Sequence, residues 1–486
     1  MSNLSELLPT GGGQNAVDFV ASGTLSSGQT VVLNSDGTVS AVAESSIAKQ
    51  LGSTNTISEP VSAASGIYIP ELNKVVFATS WIDSVPYPPF VIGNLQVFVG
   101  EVSGTSITFG SGNAISINDY LNKVPAIAYD SANDKIMLCY DENNTKAVGI
   151  VGTISGTSIT FGTPVTNSTP STWSEGAFGA YNPVIGRCEF FFRDQANNRL
   201  YRYAGTYSSG NSATWSLSNY SRSNTNPTDV LYDTDTNKTM LLAYDSSTST
   251  NPTIAADSTV YNYDNTVGGY NSSFAKIPNT NNFIITYKGI SNYLTAKIVS
   301  YDGVSFSSGS AYVLNSNAIV NPNTSVSWNE KSNSAYVVWK IGSTTTVSGL
   351  ELFVSGTVIT TGSVDSVLTS IGTTGEWPVV VYDSTNFVNV AAYGGANSSG
   401  NFKIRPIRLA SSETNSADFI GITAEAISDT ATGAVNVYGG INEAQTGLTI
   451  GADYYVQDDG TLSTTASSVK VGQAISATTI NMMDLT

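Results

Sequence analysis

Three oxygen-bearing side chains, Asp233, Asp235 and Asn237, stand at alternate positions of one short segment. Calcium-binding loops space their carboxylate and amide ligands in this way. The segment lacks the rest of such a loop, including its distal glutamate, and it falls between two apolar stretches that are typical of strands. We therefore favour a polar turn over a calcium site, and the sequence indicates neither a metal nor a cofactor.

Aromatic side chains are the second group that could do chemistry, because their apolar faces stack on sugar rings. Six of them fall in or near segments between predicted strands: Trp81, Tyr87, Trp173, Tyr207, Trp215 and Tyr220. On an exposed rim they would suit glycan capture. The alternative is that most of them are packing residues between the strands of an aromatic-rich β protein, and the sequence leaves both interpretations open.

Histidine is absent from the chain, which excludes Ser-His-Asp and Cys-His catalysis and histidine-ligated zinc. Glycoside hydrolysis needs only two carboxylates, but 37 acidic residues offer many chance pairs and no preferred one. The segment Ser35-Asp36-Gly37-Thr38 lacks the surroundings of the Asp-box of bacterial sialidases. No catalytic residue is predicted, and we interpret the chain as a protein that is not an enzyme.

The excess of acidic residues argues against nucleic acid and anionic membranes as partners of this protein. The 486 residues carry a net charge of −17 with only 20 Lys and Arg, so clustered cations for nucleic acid or an anionic membrane are not expected. The first residues do not resemble a signal peptide, and no apolar run approaches the ~20 residues that span a bilayer. Cys139 and Cys188 stand in apolar segments, which indicates buried free thiols.

A sequence motif, here called the repeated phrase, recurs about every 50 residues. It predicts the strands and turns that must position these side chains. An aromatic residue ends one strand, a polar turn follows, and an apolar strand then begins. The pairs that mark it are Tyr68/Lys74, Tyr129/Lys135, Tyr181/Arg187, Tyr232/Lys238, Phe274/Asn282, Trp328/Ser334 and Tyr382/Phe387. Seven phrases of short strands predict an all-β fold, a seven-bladed β-propeller.

A second sequence repeat, here called the outer-strand echo, marks the predicted outer strands. The segment 104–110 reads Gly-Thr-Ser-Ile-Thr-Phe-Gly and is copied at 156–162, with looser copies at 303–309 and 356–362. Its alternation predicts half-exposed edge strands, where the glycines limit edge-to-edge pairing. The seventh blade supplies only three strands of its own, so the fourth is predicted to come from residues 53–62.

The two ends of the chain share a further phrase. A hairpin with an Asp36-Gly37 turn returns near the other end around Asp459-Gly460. The two are interpreted as halves of one small β domain or as two related modules. The predicted organisation is a flexible arm over 1–17, the small β domain over 18–52 and 413–486, and the propeller over 53–412, inserted into that domain or flanked by it.

The run 447–465, followed by 471–479, resembles a segment that recurs in tail-fibre and other virion structural proteins of tailed bacteriophages. The segments 22–39 and 419–440 resemble structural proteins of marine phages. The resemblance covers the ends of the chain and not the propeller, and the chain lacks the collagen-like and β-spike repeats of long-shaft fibres. It implies a place in the virion, other virion proteins as partners, and a homo-oligomer, since virion positions are symmetric.

These observations lead us to expect a virion structural protein of tail-fibre or appendage type, whose propeller binds a host-surface glycan or protein. One alternative is a capsid or tail decoration protein with a purely structural role. Another is a carbohydrate depolymerase, which would need a cleft with a close pair of carboxylates.

Overall fold

The computed structural model describes residues 15–59, 61–82, 93–117, 124–142, 146–168, 176–194, 197–245, 250–256, 259–264, 272–316, 324–341, 344–371, 378–394 and 401–483. Within these ranges the regular structure is antiparallel strand, with 3-10 turns at Pro70–Leu72, Ile290–Asn292 and Ser416–Asp418, and no helix is long and apolar enough to cross a membrane. The chain divides into two compact units: Lys49–Leu409, and the two ends together, Met1–Ala48 with Ala410–Thr486.

The strands follow the chain in groups. Before the first repeat lie β1 (Ala16–Val20), β2 (Thr30–Leu33), β3 (Val39–Ala41), β4 (Glu44–Ile47), β5 (Gln50–Leu51) and β6 (Asn55–Ile57). Sheet 1 contains β7 (Ala63–Ile69), β8 (Lys74–Ile82), β9 (Gly93–Ser103), β10 (Ser106–Phe109) and β11 (Asn113–Ile117). Sheet 2 contains β12 (Ala126–Asp130), β13 (Lys135–Glu142), β14 (Lys146–Ser155), β15 (Ser158–Phe161) and β16 (Val165–Ser168). Sheet 3 contains β17 (Phe178–Asn182), β18 (Arg187–Asp194), β19 (Arg199–Ser209) and β20 (Ser212–Ser223). Sheet 4 contains β21 (Thr225–Asp233), β22 (Lys238–Asp245), β23 (Thr250–Ala256) and β24 (Thr259–Asn262).

The remaining strands complete the repeats and the C-terminal end. Sheet 5 contains β25 (Ser273–Lys276), β26 (Asn282–Lys288), β27 (Leu294–Tyr301), β28 (Phe306–Ser308) and β29 (Tyr312–Asn315). Sheet 6 contains β30 (Thr324–Asn329), β31 (Ser334–Lys340), β32 (Thr346–Ser355), β33 (Val358–Thr361) and β34 (Asp365–Thr369). Sheet 7 contains β35 (Val379–Asp383), β36 (Val388–Gly394) and β37 (Phe402–Arg408), joined by β5 and β6. After it come β38 (Ser411–Thr414), β39 (Phe419–Thr423), β40 (Thr432–Val437), β41 (Ile441–Asn442), β42 (Asp453–Val456), β43 (Leu462–Ser463), β44 (Lys470–Ala474) and β45 (Ile480–Asn481).

Hydrophobic clusters lie between consecutive sheets of the unit Lys49–Leu409 and hold its sheets in a ring. The cluster between sheets 1 and 2 includes Val97 and Leu138, for example. The last cluster lies between sheet 7 and sheet 1, where the rings of Phe77 and Phe402 meet edge to face at 5.5 Å. Because both faces of each sheet are covered, the middle strands β31 and β36 are buried along their whole length. The unit is a β-propeller, as the period of the repeats predicts.

The ring is closed by a segment from its N-terminal side. Strands β5 and β6 pair antiparallel with β37 and form the outer part of sheet 7. The donated segment is therefore residues 50–57, slightly earlier than the predicted 53–62, because the chain from Ala63 onward already belongs to β7. The unit itself runs from Lys49 to Leu409, against predicted limits of 53 and 412.

The repeated phrase has a local cause in the turn that joins the first two strands of each sheet. In sheet 7, Oδ1 of Asp383 accepts the N–H groups of Thr385 and Asn386, both at 2.9 Å. Phe387 then adopts a left-handed conformation with φ of 56° before β36 begins. Asp or Asn side chains accept turn N–H groups in the same way at Asp130, Asn182, Asp233 and Asn329. The phrase is a hydrogen-bonded turn that short polar side chains form by themselves.

The glycine that ends the outer-strand echo has a role that its sequence context does not reveal. A Cβ at Gly110 would overlap the carbonyl oxygen of Thr157, in the outer turn of the next sheet, and one at Gly162 would overlap that of Asn211. These glycines therefore allow neighbouring sheets to touch. At Gly362, in the last copy, the nearest atom would lie 3.7 Å away.

The terminal unit contains two five-stranded sheets with the same arrangement. Their strand orders are β1-β40-β39-β2-β3 and β41-β45-β44-β42-β43. The β2–β3 turn has Oδ1 of Asp36 accepting the N–H and the hydroxyl of Thr38, and in the β42–β43 turn Asp459 receives the same two bonds from Thr461. The two sheets share one hydrophobic core, which includes Val32 and Val471.

The strand registers agree as well. Val31 lies opposite Gly421 while Tyr454 lies opposite Gly472, and both strand pairs contain a bulge at the next step. In the second sheet β43 leads directly to β44, whereas in the first the whole propeller separates β3 from β39. The two ends thus form one compact unit that contains two sheets of the same arrangement, and the propeller sequence interrupts the first of them.

The predicted flexible arm needs one correction. It was expected to extend to residue 17, but β1 begins at Ala16 and pairs with β40. Residues 1–14 lie outside the described residues.

Candidate functional site

The segment with calcium-like spacing is one of the repeated turns, and a lysine already pairs with its carboxylates. Nζ of Lys276 lies 2.7 Å from Oδ1 of Asp233 and 3.0 Å from Oδ2 of Asp235. The other oxygen of Asp233 accepts the hydroxyl of Thr236 at 2.5 Å, and Asn237 accepts the hydroxyl of Tyr232 at 3.0 Å. Within the described residues no group of three or more Asp, Glu, Cys or His could hold a metal ion.

The predicted glycan-contact aromatics have different surroundings. Trp215 is half-buried, with its ring 4.9 Å from that of Tyr203, over Gly149 and Gly205. Tyr207 packs against the same cluster and lies under Nζ of Lys135 at 6.0 Å. Trp215 is therefore held by packing between sheets 2 and 3. Tyr87, Trp173 and the side chain of Trp81 lie outside the described residues.

The cysteines share that cluster. Cys139 and Cys188 are buried free thiols, as the sequence indicates, and burial raises the pKa of both well above the ordinary value.

Tyr220 lies at a cleft. Its ring meets that of Phe191 edge to face at 5.1 Å, and the guanidinium of Arg202 stands 6.0 Å from the ring centre. The cleft has a volume of about 750 Å³, and its walls come from sheets 3 and 4. Small-molecule sites commonly have this size.

Alternate side chains of strand β18 form one wall of this cleft, which we call the Glu189 cleft. Arg187, Glu189 and Phe191 stand at alternate positions of β18 and all face it, because side chains two apart in a strand point to the same side. Val184 and Ile185, in the turn before β18, and Val260 of β24 add exposed apolar surface to its rim.

Glu189 is the buried centre of a polar network. The residue is 4% exposed, and Oε1 accepts N–H groups of Arg187 at 2.8 and 3.2 Å and of Arg202 at 3.2 Å. Oε2 accepts the hydroxyl of Thr239 at 2.8 Å, and Thr239 in turn accepts an N–H of Asn182 at 3.2 Å. These bonds join sheets 3 and 4 and fix the positions of the charged groups.

Two sequence signals could have indicated this site. A glutamate inside the apolar run of β18 is unusual, since a buried carboxylate needs partners. Its partner Arg187 stands two residues away and therefore on the same face of the strand. Arg202 and Thr239 come from other strands, and nothing in the sequence indicates that they meet Glu189.

A second cleft of about 500 Å³ surrounds the Asp235 turn. Its lining includes Tyr232, Lys276, Trp328 and Glu330 from sheets 4, 5 and 6. Lys276 is engaged by Asp233 and Asp235, and Trp328 is 7% exposed, so this cleft presents fewer available groups than the Glu189 cleft.

No protein-family model and no curated protein matches this chain. Among solved structures, the chain is similar to one described as the mitotic checkpoint complex, with 7% identity, a TM-score of 0.47, and coverage of 74% of this chain and 95% of that one. It is also similar to AofleA from Arthrobotrys oligospora, with 8% identity, a TM-score of 0.39, and coverage of 79% and 91%. A third structure, described as NanB plus Optactamide, has 7% identity, a TM-score of 0.42, and coverage of 77% and 71%. At this level of similarity none of the three bears on what the chain does.

Proposed function

We propose that this chain is a virion structural protein of tail-fibre or appendage type, whose seven-bladed propeller recognises a glycan on the host surface. The observation that carries the recognition part is the Glu189 cleft, where charged groups, an aromatic ring and exposed apolar side chains converge. Sugars present hydroxyl groups around apolar ring faces, and sites for them need both kinds of surface.

The construction of the cleft favours binding without hydrolysis. Arg187 and Arg202 stand on strands and are held by Glu189, so these two side chains lose little conformational entropy when a ligand binds. Glycoside hydrolysis by the common mechanisms needs two carboxylates, whereas the described residues that line this cleft include one, which two arginines already engage.

The virion part of the proposal rests on the ends of the chain. Their sequences resemble virion proteins, and they fold as two copies of one module that could anchor the propeller. Strand β1 lies at the edge of its sheet and exposes Val17 and Val20. An edge with apolar side chains suits pairing with another virion protein or a second copy of the chain.

Cryo-electron microscopy of purified particles that carry this chain tests the location. Density at the tail tip or on tail appendages would support recognition. Density spread over the capsid lattice would contradict it and favour a decoration protein.

A virus in which Lys49–Leu409 is deleted provides the functional test. We expect intact particles that no longer adsorb to the host. Fragile particles that still adsorb normally would contradict the proposal. A virus with point changes confined to the Glu189 cleft is the matched control, since it tests adsorption without removing the propeller from the particle.

A further inference from the structure

We propose that the Glu189 cleft binds an anionic sugar, one that carries a carboxylate or a sulfate. This inference rests on the proposed function and specifies the class of glycan. The first argument is charge. Among the residues that the structure describes, the lining carries three cations, Arg187, Arg202 and Lys238, against one carboxylate, Glu189. In the whole chain, by contrast, 37 acidic residues outnumber 20 basic ones. Three cations converging on one cleft therefore run against the composition of the whole chain, and they attract an anion.

The second argument is the balance of donors and acceptors. A guanidinium has five N–H donors and no acceptor, so Arg187 and Arg202 bring ten donors to the cleft. One oxygen of Glu189 accepts three of these bonds, and the other is taken by the Thr239 hydroxyl. The side chains of Arg187 and Arg202 are each 28% exposed, so both keep access to solvent in the cleft. Donors thus remain for a second anion after Glu189 is satisfied, and a carboxylate or sulfate presents several acceptor oxygens.

The third argument separates a sugar from a small inorganic ion. An inorganic anion needs only the donors, but the cleft also offers the half-buried ring of Tyr220, which packs on the buried Phe191. Its rim adds the exposed apolar side chains of Val184, Ile185 and Val260. Its volume of about 750 Å³ exceeds what a single small ion occupies. A sugar ring beside Tyr220, with its acidic group towards Arg202, would use both parts of the cleft.

Isothermal titration calorimetry with the full chain tests the inference. The probes are an oligomer of galacturonic acid, its methyl ester, which removes the charge while keeping the ring, and a sulfated oligosaccharide of similar length. We expect the acid or the sulfated probe to bind at least about tenfold more tightly than the ester, since hydrogen bonds to a charged group are lost with the ester. Affinity should fall as salt concentration rises.

Variants locate the site. Lys238→Gln and Arg202→Gln should each weaken binding of the anionic probe roughly tenfold. Lys146→Gln makes the same change of charge on sheet 2, outside the cleft, and should leave affinity unchanged. Thermal melting of each variant shows whether it is folded. If Arg202→Gln does not fold, Lys238→Gln alone tests the location of the site.

The outcomes distinguish the inference from the function on which it rests. Equal binding of acid and ester, or binding of neutral glycans alone on a glycan array, would overturn the anionic inference and leave glycan recognition standing. Anionic binding that Lys238→Gln and Arg202→Gln do not weaken would place the site elsewhere and overturn it too. Binding to no glycan on the array would reject the proposed glycan recognition itself.

Discussion

The hydroxyl of Ser273 donates a 2.9 Å hydrogen bond to Oδ2 of Asp229, joining the first strands of sheets 4 and 5. The same oxygen accepts the N–H of Phe274 at 3.2 Å. Burial nevertheless dominates and raises the pKa of Asp229 to about 6, because the charged form loses hydration that three hydrogen bonds only partly replace.

Asp229 should make stability fall as pH rises. Its pKa is higher in the folded chain than in the unfolded chain, so its contribution is fully present below about pH 4 and is lost as pH rises through about 6. Asp229→Asn should remove this part of the pH dependence, on the order of 2 kcal/mol between pH 4 and 7. Urea denaturation of both proteins across this range measures the difference.

Asp302→Asn is the control with the opposite sign. Hydrogen bonds from Ser305 and Val304 lower the pKa of Asp302, so its contribution is present at neutral pH and is lost on acidification. If Asp229→Asn left the slope of stability against pH unchanged, the link between Asp229 burial and stability would be wrong.

Gly110→Ala should destabilise the propeller by about 2–3 kcal/mol, because the new methyl group overlaps backbone of the next sheet, which cannot move aside as a flexible side chain could. Gly362→Ala makes the same substitution at the matching position of another outer strand, where there is space, and should stay within about 0.5 kcal/mol of the natural protein. Denaturant midpoints measure both. Equal effects at the two positions would show that sheet contact does not explain these glycines.

Glu189→Gln should have two opposed effects. Removing the buried charge leaves Arg187 and Arg202 without their carboxylate partner and should lower stability by about 1–2 kcal/mol, since both arginines keep some access to water. It also removes the negative charge of Glu189 from the cleft and should tighten binding of an anionic probe. If the variant folds but binds the acidic oligosaccharide more weakly, the expected electrostatic effect of Glu189 is wrong. Glu189 would then contact the sugar itself or hold the arginines in the positions that binding needs.

The terminal unit should fold without the propeller. Ile47 and Ser411 face each other across β4 and β38, so deleting Lys49–Leu409 leaves Ala48 and Ala410 as a two-residue hairpin loop. Replacing these two by Asn and Gly suits such a loop. We expect a cooperative thermal transition and dispersed amide resonances.

Gly460→Ala within the same shortened chain is the matched negative control. Gly460 has φ of 82°, and a Cβ there would overlap the carbonyl oxygen of Val42, so this variant should lose most of its stability. A shortened chain that shows no transition even with Gly460 intact would mean that the ends need the propeller to fold.

Calcium and chelator should not change the melting temperature. Nζ of Lys276 already pairs with Asp233 and Asp235. A rise in melting temperature with added calcium, reversed by a chelator, would show that a cation competes with Lys276.

The sequence by itself determined the features whose causes are local. The repeated phrase is a turn in which Asp383 bonds to residues two and three positions along, and such turns depend only on neighbouring residues. The hairpins at Asp36 and Asp459 are local in the same sense. The period of these turns predicts the propeller, and a strand missing from sheet 7 predicts that another segment completes it.

Only the tertiary structure decided which residues meet at the site. Glu189 and Thr239 lie in different sheets, and the ring brings them within 2.8 Å of each other. Trp215 and Tyr220 look alike in the sequence, since an aromatic side chain buries apolar surface equally well in a core or against a sugar. Both are half-buried against clusters between sheets, Trp215 between sheets 2 and 3 and Tyr220 between sheets 3 and 4. Only Tyr220 also lines the cleft, and distances between sheets are not encoded in any local pattern.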